Sequence, residues 1–377
     1  HTLDYARMVS DDQVEAIHRQ SLKVLEVIGM DVLLPEARDI LQKAGALVDG
    51  DRVRIGRDII EEALKTPPAE FTFHARNPAH NIRVGGKWIA FAPVGGPPNC
   101  SDLERGRRPG TLEDAGNFVK LSQFFNTVHT AGGASVDALD VHASIRHLAI
   151  TRNKMVYSDK VPFISATGRA RLLDGLEIVR LARGISHEQL LQEPSAHTVI
   201  NTNSPLQLDI PMGEGLITMA EHGQVNVITP FTLAGAMSPV TLAGALVQQH
   251  AEAMLGIVLT QLVRPGVPVM YGGFTSNVDM RSGAPAFGTP EYAKAAQASG
   301  QLARHIGVPF RSSNVSAANE VDAQAAYESQ MSLWGSVMGG AHLIEHAAGW
   351  MHGGLTASFE KLILDAELLQ MMAAYCD

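Results

Sequence analysis

Cysteine is almost missing from this sequence. Only Cys100 and Cys376 occur, and neither belongs to a CxxC pair or a Cys/His cluster. That excludes a disulfide framework and a zinc-finger type of site, and it suits a reducing compartment. Charge is scarce as well: 18% of residues are Asp, Glu, Lys or Arg, and 39 acids against 30 Lys and Arg leave a net charge of -9. A polyanion needs a basic face, so this balance argues against nucleic-acid binding. Each apolar run is interrupted by Gly, Pro or Gln short of a membrane span, and no signal-peptide core follows His1. The expectation is a soluble, cytoplasmic protein. No P-loop occurs and no GxGxxG follows an early strand, which disfavours nucleotide chemistry.

What is present is apolar residue in quantity, 45% of 377 residues, enough to bury a large core. Near-helical spacing of Val14, Ile17, Leu22, Leu25 and Ile28 predicts a helix from Asp11 to about Met30, capped by Ser10 or Asp11. Shorter helices are expected at Pro35 to Ala44 and Gly56 to Lys65. Phe71-Thr72-Phe73 and Ile82-Arg83-Val84 alternate like the strands of a hairpin around Asn77-Pro78. Residues 1–85 thus read as an N-terminal cap of helices and a β-hairpin.

From residue 86 a unit repeats: a short apolar segment, a Gly/Pro/Ser/Asn-rich loop, then an amphipathic helix. Strands are predicted near Trp88, Thr127, Pro162, His197, Val225, Val267, Val308 and Ala341. Helices between them include Ala138 to Thr151, Arg169 to Arg183, Pro290 to His305 and Thr356 to Ala374. Parallel neighbours need crossovers, so eight such units predict an α/β fold, a (β/α)8 TIM barrel over residues 86–377. A doubly wound open sheet is the competing arrangement.

In a barrel the chemistry sits at the C-terminal strand ends. Those loops lack paired carboxylates, an HExxH and a strand-end Lys. Glu345 is the one acid at a strand tip, and strict alternation turns it away if His346 faces inward. The remaining candidates are His346 as a donor or modest acid, Asn314 as a neutral donor, and Arg311 as a bidentate partner for a substrate carboxylate. Each has a plainer alternative: a structural histidine, a turn asparagine, and an arginine paired with a loop acid such as Asp279. Phe91, Phe231, Tyr271, Phe274 and Trp350 stand at strand ends and would form a cation-π cage if their rings converge.

At these same loops the sequence resembles the trimethylamine methyltransferase family, the corrinoid-protein co-methyltransferases. The resemblance is carried by Asp102-Leu103-Glu104 with Thr111-Leu112-Glu113-Asp114, by Ser204-Pro205-Leu206, and by Leu233-Ala234-Gly235-Ala236-Met237-Ser238-Pro239 running on to Gly244. Asp279-Met280-Arg281-Ser282-Gly283-Ala284-Pro285, Val321-Asp322-Ala323-Gln324-Ala325 and His346-Ala347-Ala348-Gly349 extend it in collinear order. The resemblance implies a barrel, a corrinoid (cobalamin) presented by a separate carrier protein, and no metal bound directly. It implies that relatives run further than Tyr375-Cys376-Asp377, so the chain is expected to be truncated there. The family archetype carries pyrrolysine in the loop that here reads Arg311 to Asn319, near Asn314 or Val315, all ordinary residues. That departure implies a quaternary amine substrate, glycine betaine or a related betaine or carnitine. A quaternary nitrogen already carries full charge and leaves as a neutral amine. A homo-oligomer, with a dimer as the expectation, completes the reading. Two alternatives stand beside it: a barrel lyase or aldolase-like enzyme using Gly353-Gly354 for phosphate, and a non-catalytic betaine-binding protein.

Overall fold

The computed structural model describes His1 and residues 3–377. Eight strands alternate with eight main helices. The strands are β1 (Ala90–Pro93), β2 (Thr130–Gly132), β3 (Val161–Pro162), β4 (His197–Ile200), β5 (Val225–Ile228), β6 (Val269–Gly272), β7 (Phe310–Ser313) and β8 (Leu343–Ala348). The helices that follow them are α1 (Leu112–Phe124), α2 (Arg146–Tyr157), α3 (Arg169–Arg183), α4 (Ile210–Glu221), α5 (Leu242–Val263), α6 (Pro290–His305), α7 (Ala323–Met338) and α8 (Phe359–Cys376).

Six strands pair in parallel in the order β4-β5-β6-β7-β8-β1, and β2 pairs with β3. Single contacts join the two sheets at their edges. His129 donates its backbone N–H to Phe91 O at 2.8 Å, and Phe163 bridges to His197 in parallel. The result is an α/β fold around a curled parallel sheet.

Alternation along each strand sorts the core into two layers. Ala90, Val161, Val225, Val227, Met270 and Leu343 face the inside of the curl, where they meet Phe73, Ile82 and Val84 of the hairpin Phe71–Phe73/Ile82–Val84. That hairpin plugs the end of the curl where the strands begin. His74 donates to Pro194 O before β4, and Asn77 to Asp159 O before β3. A larger cluster lies between the strands and the helices. α5 is its central member; by length and composition it could cross a membrane, which the interrupted runs of the sequence did not lead one to expect. Yet 72% of its apolar window is buried inside the protein.

The first helix ends earlier than its spacing predicts, at Lys23, and continues as a π turn over Val24–Ile28. Ser10 and Gln13 close its start as a reciprocal capping box. Gly29 stops it at φ 75, where a Cβ would stand 2.3 Å from Val53 O, and Met30–Val32 then turns into a strand. This strand pairs with Arg52–Arg54 on one side and with Gln207–Leu208, from the segment after β4, on the other. The N-terminal region therefore shares a sheet and a core with the rest of the chain.

The same helix lies on α5 through a histidine contact. His18 Nδ1 is 2.9 Å from His250 Nε2, and the His18 ring packs edge-on to His305 at 4.8 Å. Burial, and next the charge of His305, hold His18 down to about 4, and burial holds His250 well below the usual imidazole value. Between pH 6.5 and 4 the unfolded chain binds the proton that the folded one refuses, so stability is full above 6.5 and falls as pH drops. We expect up to ~1.4 kcal/mol lost per pH unit for the buried His250, and less for the partly exposed His18, whose charge solvent screens. Urea-unfolding midpoints at pH 7.5 and 5 check this. A His18→Gln protein that loses as much on acidification as the wild type would show that this contact is not responsible.

Candidate active site

At the C-terminal strand ends a cavity of about 1440 Å³ opens inside the curl. Its floor is a buried charge cluster. Glu345 Oε2 accepts from Arg311 Nη2 at 2.6 Å and from Nε at 3.2 Å, while its Oε1 lies 3.1 Å from His197 Nε2. Arg311 is 2% exposed, His197 1% and Glu345 5%, so the cluster is sealed from bulk water. Burial opposes ionisation of Glu345, yet Arg311 first, then His197 and His346, hold its carboxyl well below the usual range. Arg311 Nη1 has no hydrogen-bond partner.

Both Glu345 and His346 line this cavity, which corrects the expectation that one must face away. Glu345 follows the parity of Leu343 and points inward. His346 then takes a left-handed backbone, φ 55, where the pairing of β8 with β1 slips: Ile344 opposes Phe91 but Ala348 opposes Pro93. A bulge of this kind re-aims a side chain that alternation would have sent outward. His346 Nδ1 accepts from Gly95 N at 3.3 Å, and its Nε2 is 3.4 Å from Arg311 Nη2. Burial, then the neighbouring guanidinium, push this imidazole down to about 3, so it is neutral at physiological pH. A neutral ring accepts at only one of its nitrogens.

One wall is aromatic. Phe274 stands 5.3 Å from Phe231, 5.4 Å from Phe287 and 6.3 Å from Trp350, ring centre to ring centre. Trp350 packs on His346 at 4.3 Å, and the Arg311 guanidinium lies 5.6 Å over Phe274. Phe231, Phe274, Trp350, His346 and Arg311 are thus brought together as expected. Three other candidates are not. Tyr271 sits on the outward parity of β6, fully buried against α5, with its hydroxyl at Gln249 and His250. Phe91 likewise faces the helix layer, beside His129. Asn314 is buried behind β8, its amide donating to Ala347 O at 3.0 Å. None of the three lines the cavity.

Sequence reasoning missed His197, Phe287 and the inward role of Glu345. Matching the parity of Leu343, Met270 and Ala90 would have found Glu345 and removed Tyr271 and Phe91. Phe287 lies in a long loop after β6, where no periodicity points to it.

Two buried carboxylates set the loops around the mouth. Glu252 of α5 accepts from Ser204 Oγ at 2.7 Å and Leu206 N at 2.9 Å, fixing the loop after β4. Glu328 of α7 accepts from Ser316 Oγ and from the backbone of Ala317 and Ala318, tying down the loop after β7. Behind His346, Lys361 and Asp365 of α8 form an ion pair at 2.6 Å with no exposure, and Asp365 accepts from Gly349 N at 2.8 Å. Among the described residues no group of three or more His, Cys, Asp and Glu is placed to hold a metal ion.

Eight alternating β/α units with a sealed floor and an open mouth at the strand ends define an enzyme of the α/β class built on a curled parallel sheet. A crystal structure titled as a hydroxylamine MtmB complex shares this fold, with a TM-score of 0.66 at 11% identity over 97% of this chain and 75% of that one. The chain belongs to the trimethylamine methyltransferase (MTTB) family, whose model matches residues 1–377. It is a methyltransferase of that family. It is 38% identical over 369 residues to a glycine betaine methyltransferase of Desulfitobacterium hafniense, covering 98% of this chain and 77% of the relative. A proline betaine:corrinoid methyltransferase of Eubacterium limosum is 28% identical over 98% of this chain and 77% of its own. A trimethylamine methyltransferase of Desulfitobacterium hafniense is 29% identical, over 96% and 73%.

Proposed function

We propose that this enzyme moves an N-methyl group from a carboxylate-bearing quaternary amine, glycine betaine or a related betaine, to the cobalt of a corrinoid held by a separate carrier protein. The carrying observation is Arg311 Nη1, a buried guanidinium nitrogen without a partner next to the aromatic wall. Such a group is costly to leave unpaired, and a substrate carboxylate satisfies it. Phe231, Phe274, Phe287 and Trp350 offer faces to the ammonium head, each worth roughly 0.5–2 kcal/mol. Because Glu345 already balances Arg311, the floor suits a zwitterion better than an anion.

The size of the cavity supports a corrinoid at the mouth: about 1440 Å³, against roughly 300–1,000 Å³ for ordinary small-molecule sites, leaves room for a large planar group above the substrate. When docked, the corrinoid supplies the Co(I) nucleophile. This chain's residues do the rest: Arg311 and neutral His346 hold the carboxylate end, the aromatic wall holds the nitrogen, and the plugged floor excludes water. A quaternary donor needs no proton transfer before its C–N bond breaks. The edge contacts, a backbone hydrogen bond between β1 and β2 and a parallel bridge between β3 and β4, support reading the curl as a (β/α)8 barrel, with residues 1–85 as the cap whose hairpin plugs it. A soluble location and homo-oligomeric assembly belong to the same proposal.

Titration calorimetry tests it. Glycine betaine or proline betaine binds in the micromolar to low-millimolar range, and choline, which lacks the carboxylate, binds at least about tenfold more weakly. Choline binding as tightly as glycine betaine removes Arg311 from the substrate site. Methylation of a Co(I) carrier, followed by its absorbance, separates the enzyme from a betaine-binding protein. No Lys lines the cavity among the described residues, which disfavours the Schiff-base aldolase.

A further inference from the structure

Glu345 divides its two oxygens between two partners, and each partner keeps one nitrogen that bonds to nothing. Arg311 Nη1 is one; His197 Nδ1 is the other. Both residues line the same cavity. A neutral ring that donates Nε2–H to Glu345 presents Nδ1 as a hydrogen-bond acceptor. Its ring is flanked by Phe73 at 5.6 Å and Phe163 at 5.4 Å, neither of which supplies a donor side chain. The floor therefore holds an unfilled donor and an unfilled acceptor, oriented by one carboxylate.

A carboxylate alone satisfies only half of this pair, because it has no proton for Nδ1. A hydroxyl satisfies both: its oxygen accepts from Arg311 and its hydrogen goes to His197. Nη1 carries two hydrogens, so one serves the hydroxyl and the other a carboxylate oxygen of the same molecule. We propose that His197 Nδ1 and Arg311 Nη1 form a subsite that reads a hydroxyl on the carbon skeleton that carries the ammonium and the carboxylate of the substrate. This rests on the quaternary-amine reading above and adds a preference within it. A site that bonds a hydroxyl discriminates strongly against the analogue without it, since its own polar groups are then left unpaired.

Two matched pairs test the subsite by calorimetry on the purified protein: carnitine against γ-butyrobetaine, and hydroxyproline betaine against proline betaine. The hydroxylated member of at least one pair binds about tenfold or more tightly than its partner. In His197→Phe, which keeps a flat ring and loses the acceptor, that ratio falls towards one. Equal affinities within both pairs overturn the subsite, and a ratio that persists in His197→Phe overturns the role of His197. If that variant does not fold, the wild-type pairs still decide the hydroxyl preference, and His197→Asn replaces it for the assignment. Silence of both pairs with glycine betaine binding overturns the subsite alone; silence of all five compounds overturns the quaternary-amine reading with it.

Discussion

Arg311→Leu lowers the unfolding free energy by about 3–5 kcal/mol at pH 8, because it strands the Glu345 carboxylate in a sealed floor. The deficit narrows as the solution is acidified. Without the guanidinium, burial raises the Glu345 carboxyl above its unfolded value, so the folded variant gains a proton that the unfolded chain still lacks. Its stability then improves as pH falls through that folded value and on towards the unfolded one. The double variant Arg311→Leu/Glu345→Leu recovers part of the loss, since two apolar groups replace the ion pair while buried His197 Nε2 is left without its acceptor. It still fails to bind a carboxylate-bearing amine. Urea denaturation of the four proteins of this cycle, at pH 8 and pH 5.5, measures both effects. A single variant as stable as the wild type at pH 8 would show that the pair does not hold the floor together.

Lys361→Met is expected to cost a similar amount, about 3–5 kcal/mol, for the same reason at a different place. Here too rescue is incomplete. Asp365 also takes the Gly349 N–H, and burial already pushes its carboxyl up from the usual value. In Lys361→Met/Asp365→Leu the Gly349 N–H is left buried and unmade, a penalty of about 1–3 kcal/mol that no apolar filling removes. Gly349 lies between His346 and Trp350, so the double variant also weakens betaine binding, which calorimetry reads directly. Full recovery of stability and affinity would mean that the pair supports only the helix and not the site.

The repeat of strand and helix was legible because each strand is a short apolar run closed by Gly, Pro, Ser or Asn. α3 and α6 match their predicted limits, since Gly168, Gly184, Pro290 and Gly307 mark their ends in the chain itself. Where an end is set by a distant partner, periodicity failed. The last helix starts at Phe359 and not Thr356, because Thr356–Ser358 pairs with Asn99–Ser101 some 257 positions away. α2 starts at Arg146 and not Ala138, because Leu139 is tied to Gly110 O and the intervening residues turn at the mouth.

The site was half legible for a related reason. Residue types at strand ends can be read, but parity needs a neighbour to anchor it, and a bulge breaks parity altogether. Arg311 lines the cavity, and its acidic partner is Glu345 of the adjacent strand, in the role that Asp279 had been considered for. Asn314 looked like a donor by its loop position, yet its amide binds β8 from behind.

The hairpin under the strands leaves the cavity with a single door. In the function proposed above, a betaine and the corrinoid that takes its methyl group would share that door, because the hairpin closes the other end. The small molecule would then have to enter before a carrier covers the mouth, and the demethylated amine would leave after the carrier departs. That reading ties methyl transfer to an ordered sequence of arrivals and departures, with turnover at high carrier concentration governed by release of the carrier.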